Sequence, residues 1–191
     1  YSSAAMTPSG WQSFCKRHRL DCAARVDQTL ELTPKVWRVL NQANHLVNRR
    51  LRYAEDINAT GQLDRWDAVN INRAFPEGDC EDSALTKRSL LIKAGVPANL
   101  LRLAIVQRPN VRDRVAANHA VLIVSTNDGD FVLDSLDYRI QRVSQTPYRY
   151  LKVHTPTSGQ PNQWHWVHGA QPVVAMNASA QDTMQFAEVE K

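Results

Sequence analysis

Cys80 stands among acids: Asp79-Cys80-Glu81-Asp82 follows Gly78 and opens an apolar-periodic stretch that runs to Gly95. A thiol at a helix start meets unpaired N–H groups and the positive end of the helix dipole. Both favour its thiolate and hence nucleophilic chemistry. Three carboxylates beside it act in the opposite direction by charge repulsion. A nucleophilic cysteine also needs a base. His119 is the best placed, because it begins a strand at the end of a charged loop. Asp134, fifteen positions later, lies on the return strand of the same hairpin. Antiparallel pairing about a turn at 127–130 sets Asp134 opposite roughly Leu122–Ile123, close enough for its carboxylate to orient the imidazole. Asp137 is the reserve for that role. His45, His154, His165 and His168 read as ordinary surface or core histidines, and Asp128 and Asp130 as turn residues.

The elements that must position these groups follow from periodicity. Thr33-Pro34 caps and starts a helix whose apolar residues, from Val36 and Trp37 to Ala54 and Ile57, recur at three- and four-residue spacing to about Asn58, with Gly61 closing it. Residues 61–79 form a long connection, of the kind that builds a site. The cysteine helix spans about 80–94 and is stopped by Gly95-Val96-Pro97. Strands follow at 100–107, 119–126 and 131–136, with Asp-Gly at the hairpin tip, then shorter ones at 148–153 and 164–167. Helices first and antiparallel strands after them give an α+β fold. The chain reads as one domain over 1–191, with an irregular N-terminal extension at 1–33 anchored by Trp11 and Phe14, and a polar tail from about 175 to 191.

Composition narrows the class. The chain has 191 residues, 43% hydrophobic and 22% charged, which suffices for a core. The net charge of +4 is spread over scattered Lys and Arg, which argues against nucleic acid as a partner. No apolar run reaches membrane-spanning length, so the chain does not read as an integral membrane protein. Cys15 and Cys22 bracket a short polar loop while Cys80 stands alone. A local disulfide plus one free thiol is the favoured reading, and it implies an oxidising compartment. Two reduced thiols are the alternative. A zinc site using His18 lacks an evident fourth ligand.

A helix-opening Cys followed by His and Asp on consecutive antiparallel strands resembles the papain-like transglutaminase core. The local sequence narrows the resemblance: Glu77-Gly78-Asp79-Cys80-Glu81-Asp82, Gly95, Arg102-Leu103, Asn118-His119-Ala120-Val121-Leu122 and Phe131-Val132-Leu133-Asp134. Upstream, Val47-Asn48, Tyr53-Ala54-Glu55-Asp56 and Asp64-Arg65-Trp66 fit the same pattern. Together they are similar to the bacterial transglutaminase-like cysteine peptidases, the LapG-like periplasmic proteases. The resemblance covers about 34–140 and implies a catalytic triad of Cys80, His119 and Asp134. It implies Ca²⁺ held by Asp79, Glu81 and Asp82, a hard ion whose charge would offset the acids around the thiol; the alternative is that these acids serve only the helix N-terminus. It further implies a periplasmic location, a protein substrate such as a large surface adhesin, and an inhibitory membrane receptor as partner. Residues 67–76 depart from the family pattern in the loop that would wall the cleft. Acyl transfer to an amine on the same triad, and a non-catalytic calcium-responsive module, are the competing functions. The Cys80 backbone N–H and Trp66 are considered as oxyanion donors.

Overall fold

The computed structural model describes residues 3–19, 21–22, 28–56, 64–112, 117–156, 160 and 162–167. The tail from 175, His168 and the expected helix closure at Gly61 lie outside them. Helices α1 (Ser9–Arg17), α2 (Pro34–Arg50) and α3 (Cys80–Lys93) accompany a seven-stranded antiparallel sheet. Its strands are β1 (Ala4–Ala5), β4 (Leu101–Gln107), β5 (Asn118–Thr126), β6 (Gly129–Leu133), β7 (Gln141–Arg142), β8 (Arg149–His154) and β9 (Trp164–Trp166), in the order β1-β9-β8-β4-β5-β6-β7. A separate parallel pair joins β2 (Arg52–Tyr53) to β3 (Glu77–Gly78). This is the expected mixture of helices and antiparallel sheet.

Strand alternation divides the core. Leu101, Leu103 and Ile105 of β4 line up with Leu122, Val124 and Leu133, and join Trp11, Phe14, Leu40, Leu85 and Leu91 in the helix-side core. Ala104, Val106, Val121, Ile123, Val132 and Val153 form a second cluster on the other face. Both faces being covered, β5 reads as a near-continuous apolar run.

Three details differ from the sequence reading. The first 33 residues are not simply irregular: α1 buries Trp11, Phe14 and Cys15, and β1 extends the sheet by pairing with β9. Helix α2 begins as expected, with Thr33 Oγ1 accepting from Val36 N at 3.2 Å. It stops at Arg50, short of 58, because Leu51 turns extended and Arg52 and Tyr53 pair with Glu77 and Gly78. In the hairpin, Thr126 faces Gly129, so Asn127-Asp128 forms the tip and Gly129 supplies the positive φ of 111°.

Helix α3 is not amphipathic in the ordinary sense. Every residue from Glu81 to Arg88 is buried, because α2 lies on one side, β5 on another, and the 64–76 connection passes along its first turns. That connection satisfies polar side chains an apolar core could not hold. Asp67 N donates to Asp82 Oδ1 at 2.7 Å and Val69 N to Thr86 Oγ1 at 2.9 Å. Arg88 donates to the carbonyls of Leu101, Asp21 and Ala98 and lies over the Trp11 ring. Through Arg88, α3 is tied to the loop closed by the Cys15–Cys22 disulfide. The bond fits an oxidising compartment.

The disulfide spans a sequence separation of 7. Removing it with Cys15→Ser/Cys22→Ser should lower the unfolding free energy by about 2–3 kcal/mol in urea titration. An unchanged midpoint would show that the loop is held without it.

Candidate functional site

The site is built where α3 begins. Asp79 is the N-cap, its carboxylate accepting from Asp82 N at 3.4 Å, so Cys80 is the first helical residue. Gly78 is required just before it: a Cβ there would sit 2.7 Å from Asp82 Oδ2. The thiol is partly buried and donates to Glu81 Oε2 at 2.9 Å. Burial pushes its pKa well up, and the charges of Glu81 and Asp79 push it further; the Ala120 N–H on the sulfur acts the other way. Helix α3 packs against β5, the strand that carries His119.

His119 and Asp134 are brought together. The β5–β6 register sets Leu133 opposite Leu122, so Asp134 follows opposite Val121, nearer His119 than the sequence reading had it. His119 Nε2 lies 2.7 Å from Asp134 Oδ1, and both residues are buried. Asp134 also accepts from Leu136 N at 2.9 Å and from the Tyr148 hydroxyl. Burial alone would raise its pKa; the His119 hydrogen bond and charge, with the Leu136 and Tyr148 donors, hold it below the usual carboxylate value. Asn48 of α2 donates to the Asp134 carbonyl at 2.8 Å, fixing the backbone behind the carboxylate. Asp137, the reserve acid, is instead tied to Arg139 and Gln141. Tyr148 lies beside both partners, its ring 5.9 Å from that of His119. Sequence reading passed over it because the strand that follows it, β8, carries little alternation. A cavity of about 220 Å³ opens behind Asp134, lined by Val132, Asp137, Gln141 and Tyr148 among others, away from the thiol.

The acids fall into two sets. Asp56, Asp79 and Glu81 each offer an oxygen, and these oxygens lie within 4.8 Å of one another. Asp82 points elsewhere, into the Asp67 amide. Burial raises all four. Asp56 reaches about 6, Asp79 about 7 with Asp56 adding to the shift, and Asp82 about 8 with Asp79 adding to it; Glu81 lies well above its usual value, again with Asp79 contributing. An all-oxygen donor set whose members repel one another fits a hard divalent cation. Asp56 was missed because it lies in the segment read as the end of a longer helix, far from Cys80 in sequence. The signal was present: it closes the quoted Tyr53-Ala54-Glu55-Asp56 block.

The remaining assignments are structural. Trp66 is fully buried and gives its Nε1–H to Asp64 Oδ1 at 2.7 Å, so its indole does not serve an oxyanion. His154 packs against Trp11 and Trp164, and His45 against Tyr138. His18 bonds Asp67 Oδ1 at 3.0 Å, and His165 bonds Thr155. Among the described residues, the exposed large apolar side chains other than Met6 are Leu46, Tyr53, Phe75, Leu136 and Tyr138. All five ride on segments that carry or adjoin the site. No helix among the described residues is long and apolar enough to cross a membrane.

Comparison with known proteins places this geometry. Among solved structures, Legionella pneumophila LapG is 27% identical over 64% of this chain and 65% of that chain, under two thirds of its length, with a TM-score of 0.49. A calcium-bound form of the same protein is 24% identical over 72% of this chain and 81% of that one, with a TM-score of 0.51. An EGTA-treated form is 22% identical over 78% and 83%, with a TM-score of 0.49. No match was found among curated protein sequences. A family model for bacterial transglutaminase-like cysteine proteinases matches residues 1–171, nearly the whole chain, and the chain belongs to that family.

Proposed function

We propose that the chain is a calcium-dependent periplasmic cysteine endopeptidase that cleaves a protein substrate through Cys80, His119 and Asp134. The observation that carries this reading is the buried His119–Asp134 hydrogen bond at 2.7 Å, formed on the sheet against which the helix opened by Cys80 packs. Asp134 accepts the Nε2–H and so fixes the tautomer, which leaves Nδ1 to take the thiol proton. The thiolate attacks the scissile carbonyl, and the imidazolium gives its proton to the leaving amine. Water, deprotonated by His119, then hydrolyses the thioester and regenerates the thiol. The Cys80 N–H, at the first turn of α3 where helical N–H groups have no intrahelical partner, is suited to the oxyanion.

Asp56, Asp79 and Glu81 are the residues that would hold calcium, with further oxygen ligands needed to complete its coordination. When bound, calcium supplies positive charge that neutralises the acids around the thiol. Glu81 carries both functions in this reading: its carboxylate is the thiol's hydrogen-bond acceptor and a member of the acidic trio. A carboxylate committed to a cation no longer favours the S–H form, which frees the proton for His119. The substrate class that accompanies the family resemblance is a large surface adhesin, with an inhibitory membrane receptor as partner. The apolar side chains of Tyr53 and Phe75 on the nucleophile's flank are suited to grip an extended chain.

Cys80→Ala should lower hydrolysis of surface proteins from the source cell by at least about a thousand-fold, measured by appearance of new N-termini. Unchanged cleavage would remove the nucleophile. Product carrying an added amine in place of a new carboxyl terminus would favour acyl transfer over hydrolysis. The two acid sets also separate: Asp56→Asn should weaken calcium binding by calorimetry about tenfold or more, and Asp82→Asn by much less. The reverse order would restore Asp82 to the ligand set.

The raised pKa values of Asp56, Asp79 and Asp82, about 6, 7 and 8, set a pH dependence. The folded, metal-free state keeps protons that the unfolded chain releases near its ordinary carboxylate pKa of about 4, so stability falls as pH rises between those values. In chelator, the thermal midpoint should drop from about pH 5 to about pH 8, and added Ca²⁺ should flatten the drop. A midpoint that rises over this range in chelator would contradict the charge crowding.

A further inference from the structure

Asp134 uses its two oxygens differently. Oδ1 takes the His119 Nε2–H at 2.7 Å and the Leu136 N–H at 2.9 Å. Oδ2 accepts from the Tyr148 hydroxyl, and among the described residues no other hydrogen bond reaches it. The torsion that turns an aspartate carboxylate is broad, so its plane is set by donors on both oxygens, not by a rotamer. Tyr148 also reaches the other partner, its ring lying 5.9 Å from that of His119 and tilted by 56°. The chain holds it there. Thr146 Oγ1 donates to the Val143 carbonyl at 2.9 Å and meets the Tyr150 hydroxyl at 2.9 Å, and Pro147 stiffens the backbone just before Tyr148. Tyr148 packs against the apolar cluster that includes Val106, Val121 and Val132. Phenylalanine would serve that packing equally well; only the hydroxyl answers the carboxylate. Burial and Asp134 push the phenol pKa up, so at neutral pH it keeps the proton it donates. Asp134 and Tyr148 both line the cavity of about 220 Å³, which is roomy enough for water. A phenol anchored there gives Oδ2 a fixed donor where water would supply an exchanging one.

We propose that Tyr148 is a positioning residue of the triad, its hydroxyl setting the plane of the Asp134 carboxylate from Oδ2 so that Oδ1 stays on the His119 Nε2–H. The inference rests on the Cys80–His119–Asp134 reading given above. With its plane set, the carboxylate keeps His119 in the Nε2–H tautomer, leaves Nδ1 for the thiol proton and receives the imidazolium as it forms. Tyr148 transfers no proton in this scheme and touches neither substrate nor thiol; its hydroxyl acts only through Asp134.

A double-mutant cycle tests this without a known substrate. Cys80 alkylation by iodoacetamide is timed in saturating Ca²⁺ at neutral pH, in the unaltered chain, Tyr148→Phe, Asp134→Ala and the double variant. Tyr148→Phe keeps the ring against His119 and removes only the hydroxyl. Circular dichroism checks the fold of each; Tyr148→Leu or Asp134→Asn takes the place of a variant that unfolds. Tyr148→Phe should slow alkylation about tenfold in the unaltered chain, and less than about twofold once the Asp134 carboxylate is gone. A Tyr148 variant that reacts at the unaltered rate would overturn the inference. So would one that slows both backgrounds by the same factor, which is the signature of packing. If Asp134→Ala is itself as fast as the unaltered chain, the triad reading fails and the inference falls with it. A slow Asp134→Ala with an additive cycle overturns the inference alone.

Discussion

Charge buried at the start of α3 is the constraint on which the rest of this molecule depends. A thiol, its capping Asp79 and the next two acids are packed at one helix end with Asp56 brought in from the segment after α2. Water cannot solvate this group freely, so the fold must supply partners. The 64–76 connection gives Asp82 an amide, and the N-terminal turn gives Asp79 another. Asp56 accepts from the Arg65 amide and Glu81 from the thiol, yet the oxygens of Asp56, Asp79 and Glu81 still lie within 4.8 Å of one another and raise each other's cost. The arrangement costs stability, and a divalent cation is the simplest agent that removes the cost while leaving the thiol in place.

The same constraint accounts for the architecture around the site. Because α3 is buried on all sides over its first turns, it needs a sheet, a flanking helix and a wrapped loop. The chain provides these as β5, α2 and the 64–76 connection. The tryptophan cluster of Trp11, Trp66 and Trp164 closes the far side, and Gly10 lets Trp66 approach α1, where any Cβ would collide. Asn44 and Asn48 of α2 grip carbonyls in the turn after β6, so the helix packed against α3 also fixes the backbone of Asp134. Cys80 and Asp134 are thus positioned by one packed layer.

Much of this was legible from residue type and spacing. Cys80 as a helix opener, the β5–β6 hairpin and the His119–Asp134 proximity all follow from local signals that tertiary packing reinforces. The misses share a physical cause, which is that they depend on contacts distant in sequence. Helix α2 was drawn past Arg50 because apolar periodicity continued, while pairing with β3 took the next residues. Asp82 was grouped with Asp79 and Glu81 by adjacency, yet each helical step turns a side chain by about 100°, which sends Asp82 to Asp67. Asp56 joins the acid cluster, and Tyr148 the His119–Asp134 pair, from segments with weak patterning of their own. The burial of Lys87 was invisible because a lysine on a helix reads as solvated until packing closes every face.

The central claim is that the acids around Cys80 act as a cation-dependent control on its thiol. The most direct measurement is the rate of Cys80 alkylation at fixed neutral pH as free Ca²⁺ is varied, with Mg²⁺ as the control. The account expects the rate to rise with Ca²⁺, to saturate, and to return to its starting value in chelator. A rate indifferent to Ca²⁺, or one that falls as Ca²⁺ is added, would contradict it.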